Sequence, residues 1–159
     1  MNGLATAAGL QFVSSCDLAI CSSKSKFSAP GIKVGLCCTT PGIELFRSTH
    51  SPKKTLEMLL TGEPITAEEA LKFGIVNKVV EKEEDLDAET LKLAQNISQY
   101  SAEVIHLGKH AFYEQIQMNL DNAYQFGEKK MVENLEKEDC HEGIKAFFEK
   151  RKPVWKDKN

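Results

Sequence analysis

The spacing of apolar side chains changes character along the chain. In the first hundred residues, short apolar runs alternate with small or polar stretches. After about Tyr100 this β/α alternation gives way to an all-helical pattern. Ala5 to Ser15 predicts a short helix whose start is crowded with small residues. "CDLAICSS", Cys16 to Ser23, predicts a strand. Leu18 and Ile20 share one face and Ala19 and Cys21 the other, so both faces are expected to be buried. "KFSAP", Lys26 to Pro30, predicts a short strand stopped by proline. Gly31 to Gly42 holds several glycines and a proline and reads mainly as loop.

Helical signals then take over. "SPKKTLEMLLTG" places Ser51 as a cap, Pro52 at the first helical position and Gly62 at the end. "TAEEALKFG" carries a capping box, Thr66 with Glu69, and ends at Gly74. Ile75 to Val80 predicts another strand. A long helix follows with Leu86, Leu93, Ala94 and Ile97 on one face, and two or three further helices fill Ala102 to Lys150. The fold class is therefore α/β with a helical appendage, divided as residues 1–99 and 100–159.

Composition narrows the function classes. Hydrophobic residues make up 42% of the 159, enough for a core, and charged residues 27%, too balanced for a disordered chain. A net charge of −3 argues against nucleic acid as the main partner. No apolar run reaches the roughly 18 residues of a membrane span. The apolar N-terminal stretch lacks a preceding Lys or Arg, which argues against a secretory signal or transit peptide in the chain as it stands. The five cysteines are odd in number, irregular in spacing and include the neighbours Cys37 and Cys38. They read as reduced thiols of an intracellular protein. Neither a CxxC pair nor an HExxH occurs, so no metal site is expected.

The opening stretch "NGLATAAGL" bears on chemistry. A glycine- and alanine-rich segment entering a helix points several backbone N–H groups at one spot, where the helix dipole adds positive charge. Such a spot suits a phosphate, a carboxylate or a developing oxyanion. It is neither GxGxxG nor a P-loop, and close packing of a helix start on a sheet explains the small residues equally simply.

The longer pattern "NGLATAAGLQFVSSCDLAICSSKSKFSAPGIKVGL", with "LEMLLTGEPITAEEALKFGIVNKVV" and "EGIKAFFEKRKPVWK", resembles the enoyl-CoA hydratase/isomerase (crotonase) family over nearly the whole chain. The resemblance implies a crotonase-like spiral of ββα turns with a helical C-terminal portion that builds homotrimers or hexamers. It implies an acyl-CoA thioester as substrate or ligand, with no separate cofactor, and a mitochondrial place in fatty-acid metabolism. It also implies that the backbone N–H of Ala8 holds the thioester oxygen, at a position where the family usually has glycine.

At the family's acid/base positions the chain departs from the pattern. Hydratases of the family use two glutamates; here those positions hold Gln11 and Gly31, and the position of an isomerase acid further along the loop holds Thr39. Glutamine and glycine exchange no protons near neutral pH. Glu44 is the remaining acid, readable either as a first-turn helix carboxylate or as a group facing the pocket. Cys37 and Cys38, with His50 the histidine nearest in sequence, read as loop packing ahead of a nucleophile. Asp17 reads as structural at a strand start, and His106, His110 and His141 as surface or interface residues. The basic tail, Lys150, Arg151, Lys152, Lys156 and Lys158, divides between two readings. Either Lys152 and Lys156 meet CoA phosphates, or the tail is solvated with Trp155 anchored in a hydrophobic groove.

The resemblance begins in the middle of the family domain, with Met1 where an internal residue would stand. The expectation is a truncated spiral with exposed apolar strand faces and poor solubility. Two functions compete: a crotonase-type enzyme acting on acyl-CoA, and a catalytically silent acyl-CoA-binding, regulatory or structural subunit.

Overall fold

The computed structural model describes residues 1–156. Strand β1 (Leu4–Thr6) leads into helix α1 (Ala8–Ser15). Strands β2 (Ile20–Ser22) and β3 (Lys26–Ser28) precede a 3-10 turn, Pro30–Val34. Helices α2 (Thr39–Thr49) and α3 (Pro52–Thr61) follow, then β4 (Ile65–Thr66), α4 (Ala67–Lys72) and β5 (Lys78–Val80). The remainder is helical: α5 (Leu86–Ser98), α6 (Ala102–Gln115), α7 (Leu120–Leu135) and α8 (Glu138–Glu149). Two compact units divide the chain, Met1–Lys92 and Leu93–Asn159, with the boundary inside α5.

In the first unit, β1 pairs in parallel with β3, aligning Ala5 with Phe27, and β3 pairs antiparallel with β4. A second small sheet pairs β2 with β5 in parallel, aligning Cys21 with Val79. Phe27 on β3, Leu10 on α1, Leu45 on α2 and Met58 on α3 are fully buried in one cluster. Each such side chain contributes about 1.5–3 kcal/mol by leaving water. In the second unit α6, α7 and α8 pack on one another. No helix among the described residues is long and apolar enough to cross a membrane.

The caps read from the sequence form as expected. The Ser51 hydroxyl accepts from Lys54 N–H, Pro52 opens α3, and Gly62 closes it at φ 65°. Thr66 and Glu69 make the reciprocal capping box of α4, at 3.3 and 3.1 Å.

Elsewhere the structure corrects the expectation. The helix read from Ala5 starts at Ala8, because Leu4–Thr6 is held in extended pairing against β3. The strand read from Cys16 to Ser23 contracts to Ile20–Ser22, and Leu18 lies 45% exposed outside it. The strand read from Ile75 contracts to Lys78–Val80, since the N–H groups of Ile75 and Val76 turn back to the Ala70 carbonyl. The largest correction is the stretch from Gly31 to Gly42. It contains the 3-10 turn and the start of α2, whose buried positions Cys38, Pro41, Gly42 and Leu45 fall at helical spacing. Gly42 lets α2 approach α3 closely: a Cβ there would sit 2.9 Å from Leu59 Cδ1. Glu44 lies in the second turn of α2, so it is not a first-turn carboxylate.

Candidate functional site

The site is built around the start of α1. Ala7, its N-cap, adopts φ 47° and ψ −113°, a conformation that costs a residue with a Cβ of order 1–3 kcal/mol. The surroundings impose it. Ala7 N–H donates to Ser28 O on β3 at 3.0 Å, while Ala7 O accepts from Gln11 N–H at 3.0 Å to begin the helix. The Ser28 hydroxyl donates to Thr6 Oγ1 at 3.1 Å, tying the same two strands beside the turn. The first N–H groups of α1, Ala8 among them, have no acceptor within the helix and carry the positive end of its dipole. Ala8 and Gly9 are exposed, and a Cβ added to Gly9 would meet nothing within 4 Å, so room remains beside these donors.

Gln11 lies one turn further along α1, half-buried. Gly31 sits in the 3-10 turn, where Leu36 N–H donates to Gly31 O at 2.9 Å and Gly35 turns the chain at φ 76°. A Cβ on Gly31 would collide with the carbonyl oxygen of Leu36 and stand 2.8 Å from the Sγ of Cys38. The position that the resemblance reads as the second acid/base site is therefore closed to any side chain as the turn is folded. Cys38 is buried at the N-cap of α2, and Thr39, the first helical residue, is exposed. Glu44 is half-buried on α2, which packs directly on α1. Ala8, Gln11, Gly31, Thr39 and Glu44 thus belong to neighbouring elements of one unit.

Other sequence candidates lie apart. His50 caps the far end of α2, so twelve residues of helical rise, about 18 Å, separate it from Cys38. The pair makes no thiol–imidazole dyad; Cys38 is packed at the N-cap of α2, whereas Cys37, read with it as loop packing, is exposed. Asp17 is exposed in the bend between α1 and β2, ahead of the strand it was expected to begin. Among the described residues, no group of three or more His, Cys, Asp or Glu is poised to hold a metal.

The basic tail belongs to the second unit and is latched onto α8. Arg151 grips Glu142 through Nη1 at 2.5 Å and Nη2 at 2.9 Å, and its Nε donates to Glu149 at 2.5 Å. Val154 N–H adds a bond to Glu142 at 2.9 Å. The guanidinium and this N–H hold the Glu142 carboxyl at about 2, well below its ordinary value. Trp155 lies in a groove with Tyr100, Val104, Cys140, Gly143 and Ile144, and its indole N–H donates to Gln99 O at 2.7 Å. This is the anchored-tryptophan reading. Lys156 pairs with Glu138 at 2.7 Å, Lys152 is exposed, and Lys158 lies outside the described residues.

Two features were missed in the sequence. The strained turn at Ala7 leaves no signature in an alanine. The closure of the space beside Gly31 by the Cys38 thiol, seven residues on, arises through a turn read as open loop; the helical spacing of Cys38, Pro41, Gly42 and Leu45 is the signal that could have revealed it.

Residues 1–158 match the family model described as enoyl-CoA hydratase/isomerase. The chain is 53% identical over 156 residues to the mouse protein named "Enoyl-CoA hydratase domain-containing protein 3, mitochondrial", covering 98% of this chain and 51% of that one. A crystal structure of the human protein of that name superposes with a TM-score of 0.92 at 52% identity, over 96% of this chain and 60% of that one. A Mycobacterium smegmatis enoyl-CoA hydratase superposes at 0.94 with 39% identity, over 98% of this chain and 60% of that one. The chain spans about half the length of the curated relatives it matches.

Proposed function

The chain belongs to the enoyl-CoA hydratase/isomerase family and carries part of its crotonase fold, and from that premise we propose that it holds an acyl-CoA thioester without the usual hydratase chemistry. The thioester oxygen sits at the start of α1 and accepts from Ala8 N–H. The observation that carries this is the exposed start of α1, where the Ala8 N–H has no acceptor within the helix and a Cβ on Gly9 would meet nothing within 4 Å, at the positive end of the helix. No further cofactor is required. The Gln11 carboxamide is neither acid nor base near neutral pH and Gly31 admits no side chain, so the two groups that would add or remove water are missing together.

The names of the mouse and human relatives favour a mitochondrial setting. Assembly with further copies is favoured by the exposed apolar surface of the helical unit. A groove of about 620 Å³ there is lined by Leu120, Tyr124, Met131 and Val132, and Phe147 and Phe148 are 79% and 76% exposed. Homotrimers are the assembly proposed; Lys152, exposed on the tail, is the lysine left to meet a CoA phosphate, since Lys156 is engaged by Glu138. Leu4, Phe12, Val34 and Leu36 expose further apolar surface on the first unit, which favours poor solubility of the chain by itself.

Calorimetry with saturated and α,β-unsaturated acyl-CoA esters, followed by chromatography for product, tests the reading. The expected result is binding without turnover. In an Ala7→Gly background, Ala8→Pro deletes the N–H at a helical position that tolerates proline. It should weaken binding severalfold, in line with about 1 kcal/mol for a neutral hydrogen bond. Turnover that falls a hundredfold in the same variant would instead favour the hydratase/isomerase-type enzyme suggested by the relatives' names. Absence of acyl-CoA binding would leave the structural-subunit reading.

A further inference from the structure

On the exposed side of α6, His106 and His110 stand one helical turn apart with ring centroids 4.4 Å from each other and planes tilted by 56°. Side chains at i and i+4 project from the same helix face, so both imidazoles reach one point in solvent without moving the backbone. We propose that this pair is a two-imidazole site for a borderline divalent transition metal, Cu2+, Ni2+ or Zn2+. Neutral imidazole is the commonest protein ligand for these ions, and nitrogen donors disfavour the hard cations Mg2+ and Ca2+.

The surroundings set the coordination number. Glu103, three residues before His106, is engaged by Lys137 at 2.9 Å. No third His, Cys, Asp or Glu joins the pair among the described residues. Two protein nitrogens hold the ion, and water fills the other positions. Such a half-open site takes an added donor readily, from a small molecule or from another polypeptide. Nothing in this assignment depends on acyl-CoA binding, since α6 lies in the helical unit and the thioester is placed on α1.

The test is calorimetric titration of the 159-residue chain with CuCl2 and NiCl2 at pH 7.5. Copper electron paramagnetic resonance reads nitrogen coupling. The expected result is one ion per chain, Cu2+ bound more tightly than Ni2+, and nitrogen coupling in the copper spectrum. His106→Gln and His110→Gln should each weaken binding by roughly tenfold or more, since one imidazole then remains. Both side chains are exposed, so neither substitution should disturb folding, and circular dichroism checks this. His141→Gln should bind as the unchanged chain does. Equal affinity in the His110→Gln variant would overturn the assignment. So would loss of binding on replacing the exposed thiols Cys16 and Cys37 with serine.

Discussion

The N–H of Leu36 donates to the carbonyl of Gly31 at 2.9 Å and closes a turn around a position with no room for a side chain. The neighbours of that position are the Leu36 carbonyl and the buried Cys38 thiol, neither of which is the free end of a flexible chain. Gly31→Ala should therefore destabilise the chain by about 2 kcal/mol, as forced overpacking does. Chemical denaturation reads the midpoint; an unchanged midpoint would mean that the turn opens freely. The double variant Gln11→Glu with Gly31→Glu should gain no hydratase activity. The second carboxylate enters only by breaking the turn that would aim it.

Ala7 presents the opposite case, a side chain where its absence would be preferred. At φ 47° and ψ −113° its Cβ is strained, while the bonds to Ser28 O and Gln11 N–H fix the backbone there. Ala7→Gly relieves the strain but gives the unfolded chain more freedom, an opposing effect of about 0.4–1 kcal/mol. The strain is the larger, so the variant should gain about 1 kcal/mol. A lower unfolding temperature than the parent would contradict this.

Lys54 joins α3 to α4 from a buried position. Its ammonium reaches Glu57 at 3.2 Å and Glu69 at 3.3 Å and lies 5.1 Å from the ring centre of Phe73. Burial works against the charge, but hydrogen bonds to the two carboxylates outweigh it and hold the pKa above the ordinary lysine value. The charge's contribution is whole below the unfolded value and is lost only as pH rises through the folded one, in strongly alkaline solution. Both carboxylates stay largely in water, so removing the charge strands nothing. Lys54→Met should stay within about 1 kcal/mol of the parent, whereas Lys54→Ala, which also loses the packed stem, should cost about 2 kcal/mol. Equal losses in the two variants would show that charge, and not packing, holds the joint.

What could be read in advance follows from how far apart the cooperating residues are. The caps of α3 and α4 were legible because Ser51 with Lys54, and Thr66 with Glu69, act within one turn. Helix α2 was hidden because Thr39, Thr40, Pro41 and Gly42 are poor helix formers. Packing of α2 on α3, with Leu59 Cδ1 only 2.9 Å from where a Cβ on Gly42 would stand, overrides that preference. At the site, the small residues around Ala8 were visible. The positive φ at Ala7 just before it was not, since the Ala7 N–H is held by Ser28 O, twenty-one residues away.

The last prediction concerns the tail and exploits a single tryptophan in the sequence. Trp155 reports on the latch because Glu142 binds both Arg151 and Val154 N–H, on the segment that carries the indole to Gln99 O. The Glu142 carboxyl titrates at about 2 in the latched form against an ordinary 4.5. Its folded value is the lower one, so its stabilising contribution is complete above about pH 4.5 and fades as pH falls towards 2. Trp155 emission should shift to longer wavelength across that window, ahead of the loss of helical dichroism. Glu142→Gln removes the titrating group and should abolish the early phase, leaving emission that is already partly red-shifted at pH 7. If the variant instead shows the same acid transition as the parent, another carboxyl releases the tail, and the Arg151–Glu142 pair is not the latch.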